Sequence, residues 1–77
     1  MTAEEILDVT EETFQYIKRD YPNADKTYKM SSFVSGACDF AVQLAKYHDT
    51  YTIEFGRKLD SLRFKVFGAQ PFNSVKG

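Results

Sequence analysis

Between Tyr51 and Phe67 the chain reads YTIEFGRKLDSLRFKVF, and an apolar–polar alternation runs through both ends of it. On an extended backbone Tyr51, Ile53 and Phe55 point one way and Thr52 and Glu54 the other. Leu62, Phe64 and Val66 repeat the pattern, with Arg63, Lys65 and Phe67 opposite. A turn centred on Leu59 and Asp60, or a looser loop over residues 56–61, sets Phe55 across from Phe64 and Ile53 across from Val66. On the other face it sets Glu54 across from Lys65, an opposite-charge pair of the kind that supports a ladder. The alternation therefore predicts a C-terminal antiparallel hairpin with one face on the core.

The N-terminal segment carries a different period. Ala3, Leu7, Thr10, Phe14, Ile17 and Tyr21 recur at spacings of three and four, flanked by Ile6 and Val9, which predicts an amphipathic helix of eighteen residues or so. Thr2 followed three residues later by Glu5 is a capping box. Acidic residues crowd the first turns and Lys18 and Arg19 the last, as the helix dipole favours. Pro22 closes the helix.

A second helix is expected after a cap at Ser31 or Ser32. Ser32, Ser35, Asp39, Gln43 and Lys46 form one narrow polar stripe on it, and apolar residues cover nearly everything else. Such a helix is central to the fold or offers a face to a partner. Lys26–Met30 alternates weakly and is a candidate short third strand. The expected fold is thus α+β, two helices packed on one face of a small antiparallel sheet, in the order α-(β)-α-β-β. It forms a single domain over residues 1–77, with residues 69–77 as a flexible tail.

Chemistry is sparse. Cys38 and His48 are the only thiol and imidazole. On one continuous helix ten residues apart they stand roughly 15 Å from each other, too far for a base to reach its nucleophile. One of each falls short of a structural zinc set, and no acidic string matches a calcium loop. Gly56-Arg57-Lys58 lacks the rest of a phosphate-binding loop. No catalytic, metal or cofactor site is predicted, and the chain is read as a non-enzyme.

Charge offers two contact surfaces instead. The formal charge is −1, but residues 1–20 carry a net −4 and residues 51–77 a net +3. Glu4, Asp8, Glu11 and Glu12 make an acidic helix face suited to a basic partner. Arg57, Lys58, Arg63, Lys65 and Phe67 share the outer face and tip of the expected hairpin, a mixture that suits a protein interface or a nucleic-acid strand. So low a total charge argues against tight nucleic-acid binding, since each phosphate contact needs its own cation.

A third surface is a homodimer seam on the second helix through Val34, Cys38 and Val42. The lone cysteine forms no internal disulfide, and neither a leader nor an eighteen-residue apolar run is present, so a cytoplasmic location is expected. The function expected is that of a small inhibitor or regulatory protein that binds a larger partner, such as a phage-encoded inhibitor of a nucleic-acid-handling enzyme. A nucleic-acid-binding module and a homodimeric accessory protein are the alternatives.

Overall fold

The computed structural model describes residues 1–20 and 28–68, with side chains in the second helix from residue 32 onward. Three helices follow one another: α1 (Ala3–Asp20), α2 (Tyr28–Tyr47) and α3 (Ile53–Phe67). No strand occurs among the described residues, so the α+β expectation is overturned in favour of a three-helix bundle.

α1 forms as its sequence dictates. The capping box closes reciprocally: the Thr2 amide donates to Glu5 Oε1 at 2.8 Å and the Glu5 amide donates to Thr2 Oγ1 at 3.1 Å. Ile6, Thr10, Phe14 and Ile17 are buried, with Ala3 and Leu7 packed beside them. The one hydroxyl in this stripe, Thr10 Oγ1, donates back to the Ile6 carbonyl at 2.7 Å, which removes the cost of burying it.

α2 begins at Tyr28, ahead of the expected serine cap, so Tyr28–Met30 are helical rather than a third strand. Lys26, Thr27 and the 69–77 tail lie outside the described residues. The far end of α2 is a Schellman closure. The Thr50 amide donates to the Ala45 carbonyl at 2.8 Å and the Asp49 amide to the Lys46 carbonyl at 3.1 Å, with Asp49 left-handed at φ 58°.

The expected hairpin is α3. Thr52, extended at φ −141° and ψ 170°, is its N-cap and accepts from the Phe55 amide at 3.0 Å. At the other end Gly68 takes φ 73° and donates to the Phe64 carbonyl at 2.7 Å. The residues that satisfied a period of two also satisfy 3.6: Phe55, Leu59 and Val66 are buried and Leu62 packs against them. Leu59, placed in the turn of the hairpin, is only 4% exposed, whereas Ile53 and Phe64, placed in its core, are 76% and 56% exposed. Glu54 accordingly pairs with Lys58 one turn along at 4.0 Å, and Lys65 reaches Glu11 of α1 at 3.2 Å.

The helices run up, down and up. The Met1 ammonium donates to His48 Nδ1 at 3.3 Å, setting the start of α1 beside the end of α2. Lys18 Nζ donates to the Val66 carbonyl at 2.7 Å, setting the end of α1 beside the end of α3. α2 and α3 both pack on α1 and approach each other closely at few points. The core sits along α1, with Phe14 fully buried and its ring edge-on to Phe67 at 5.4 Å.

Two substitutions test this arrangement. Phe14→Ala should cost about 3–5 kcal/mol in guanidinium unfolding, a large share of what so small a domain has. Thr52→Ala should cost about 1 kcal/mol while Thr52→Asp keeps most of the stability, a difference a strand residue would not show.

Candidate interaction surface

α2 distributes its side chains by size in an unusual way. The residues it buries fully are small, Val34, Ala41 and Ala45, which let its backbone come close to α1. Its rings stand outside: Phe33, Phe40 and Tyr47 are 40%, 67% and 83% exposed. They lie seven residues apart and therefore share one side of the helix, drifting by only about 20° per repeat. Exposed Gly36 and Gln43 continue the stripe on its outer edge, half-buried Ala37 and Leu44 join it to the core, and Asp39 and Lys46 border its other flank. A shallow hollow between Phe40, Leu44 and Tyr47 is floored by apolar atoms. At roughly 150–250 Å² per ring, the exposed fractions amount to roughly 300–450 Å² of aromatic surface. Monomeric proteins seldom leave a larger patch uncovered.

The five residues assigned to a basic hairpin face do not form one surface, because a helix spreads them. Lys65 is bound to Glu11 on the α1 side, and Phe67 is half-buried against Phe14. Arg63 lies on the α2 side, where it contacts Asp60 at 3.4 Å and influences Cys38. Lys58 pairs with Glu54, and Arg57 is exposed along the mouth of the groove between α2 and α3.

The acidic face is more coherent. Glu4, Asp8 and Glu12 are exposed on α1, while Glu11 is engaged by Lys65. Beyond them Arg19 stacks over the Tyr16 ring at 5.5 Å and contacts Asp20, so a cation closes the end of the acidic row.

The seam expected through Val34, Cys38 and Val42 faces inward. Val34 is fully buried against the protomer's own core, and Cys38 and Val42 line the groove opposite Leu59 and Arg63. Burial pushes the Cys38 thiol above its usual range, while the Arg63 guanidinium pulls in the other direction. His48 lies at the other end of α2, bonded to the Met1 ammonium and stacked edge-on with Tyr47. Cys38 and His48 therefore serve different neighbourhoods.

Among the described residues no group of three or more His, Cys, Asp or Glu side chains is placed to hold a metal ion, and no helix is long and apolar enough to cross a membrane. No family model, curated protein or solved structure matches the chain.

The aromatic stripe was not singled out by the sequence reading, although its signal is present as three rings at seven-residue spacing with small residues between them. Alkylation kinetics test the groove. Iodoacetamide should modify Cys38 more slowly near neutral pH than a small-molecule thiol. Arg63→Met, which removes the cation favouring thiolate but keeps a long side chain, should slow it further and move the pH midpoint upward.

Proposed function

We propose that this chain is a small, non-catalytic binding protein that works by seating the outer face of α2 against another protein in the cytoplasm. The observation that carries this reading is the inversion of α2, with its small residues inside and Phe40 and Tyr47 outside at 67% and 83% exposure. Aromatic residues at that exposure cost solubility unless a partner covers them, and aromatics are the residues that interfaces enrich. In this role the protein acts by occupying a surface, as an inhibitor or an accessory subunit does. Its one thiol, half-buried and unpaired, suits a reducing compartment.

The nucleic-acid alternative draws less support. Its five residues are dispersed around α3, and three of the four cations among them are already engaged by carboxylates.

A photo-crosslinking amino acid placed at Phe40 or Tyr47 and irradiated in the native cell should capture a protein. The same group at Glu12, on the acidic face of α1, should capture little. Capture from Glu12 with none from Phe40 or Tyr47, a second copy of this chain included, would remove the reading.

A further inference from the structure

Resting on that reading, we infer that the partner seated on α2 is a second copy of this chain, paired antiparallel through the Phe40–Tyr47 stripe. The stripe is a heptad seam. Phe33, Phe40 and Tyr47 occupy one repeating position and Gly36 and Gln43 the second, with Ala37 and Leu44 on one flank and Asp39 and Lys46 on the other. A seven-residue repeat is what keeps two helices in register along a shared seam.

Antiparallel pairing makes this seam complementary to itself. When Phe40 lies beside the partner's Gln43, Tyr47 lies over the partner's Gly36, and the two-fold axis repeats both contacts. Among the described residues nothing requires a glycine at position 36. A Cβ built there would meet no atom of the described residues within 4 Å, and the residue costs α2 about 1 kcal/mol of helix propensity relative to alanine. Across the seam it leaves the room that a tyrosine ring takes.

Charge selects the same orientation. In an antiparallel pair each flank faces its own counterpart, so Asp39 comes within about 3 Å along the axis of the partner's Lys46, twice by symmetry. The opposite flank brings Ala37 and Leu44 against Leu44 and Ala37. In a parallel pair Asp39 would face Leu44, and no opposite charges would meet. The exposed area of Phe40 and Tyr47 from both copies, with Leu44, Gln43 and the Lys46 stem, makes an interface below the standard size, which fits a weak, reversible dimer in the micromolar to millimolar range.

Sedimentation equilibrium of the full chain over micromolar to millimolar concentrations tests this, with circular dichroism to confirm that each variant stays helical. The wild-type chain should show a monomer–dimer equilibrium. Phe40→Ser should weaken it at least about tenfold. Gly36→Glu should weaken it comparably while the helix content of the monomer holds or rises, which separates a lost contact from a lost fold. Asp39→Lys and Lys46→Asp should each weaken the dimer by about three- to tenfold, and the double exchange should restore it.

A chain monomeric at millimolar concentration overturns the homodimer, while capture of a different protein from Phe40 would still uphold the binding reading. A dimer indifferent to both Phe40→Ser and Gly36→Glu overturns its placement on α2. Failure of the double charge exchange to restore association overturns the antiparallel register.

Discussion

Phe14 sits where the three helices depend on one another. Its ring is fully buried on the stripe of α1 and meets Phe67 edge-on near the end of α3, a geometry that aromatic quadrupoles favour. α2 and α3 pack on the same stripe from two sides and make little contact of their own, so α1 is the wall against which both are placed. With a single narrow stripe to share, neither outer helix can bury its whole apolar circumference. That limit explains why the α2 residues buried fully, among those described, are the small Val34, Ala41 and Ala45. Close approach to α1 takes the place of bulk, and the large rings are left on the solvent side.

Polar contacts fix the angles that the core leaves open. Lys18 reaches the Val66 carbonyl in the last turn of α3, where a cation meets both an unpaired acceptor and the negative end of the helix dipole. Lys65 answers from α3 to Glu11 on α1. Such peripheral contacts add little energy singly, but together they set α1 and α3 side by side, and the second engages a cation of α3 that would otherwise add to a basic surface there. On the opposite edge the Met1 ammonium and His48 join the beginning of α1 to the turn after α2. Every buried side-chain polar atom among the described residues has a partner.

α1 was legible almost residue by residue, because local signals agree there: a capping box, acids before bases, and one apolar period with no competitor. α3 was misread because two periods coexist in it. Tyr51, Ile53 and Phe55, with Leu62, Phe64 and Val66, alternate cleanly, and the stretch 56–61 resembles a loop through Gly56 and Asp60. What decides between the periods is Leu59, which has a place only on the 3.6-residue face it shares with Phe55 and Val66. Thr52 as an N-cap and Gly68 as a stop lie at the right ends of a helix, and both were legible as punctuation. The charge pairing Glu54–Lys65 strengthened the wrong register, since Glu54 has an equally good partner one turn away in Lys58.

α2 departs from its sequence expectation in another way. The sequence predicts its helix, central to the fold or offering a face to a partner, but of the residues expected at a dimer seam the structure buries Val34 in the protomer's own core and sets Cys38 and Val42 in the groove facing α3. Size decides the matter in the opposite direction. A helix that must lie close to its neighbour puts valine and alanine in the contact, so the larger residues are the ones left over for an external surface. Gly36 then becomes informative. It weakens the helix, and a Cβ in its place would meet no atom of the described residues within 4 Å. A sequence that keeps a glycine in the middle of a twenty-residue helix, on the same exposed side as three aromatic rings, bears a local cost that no contact among the described residues repays. Contact with a ring from outside the protomer is a physical reason for that cost which agrees with the spacing of Phe40 and Tyr47 and with the charges beside them.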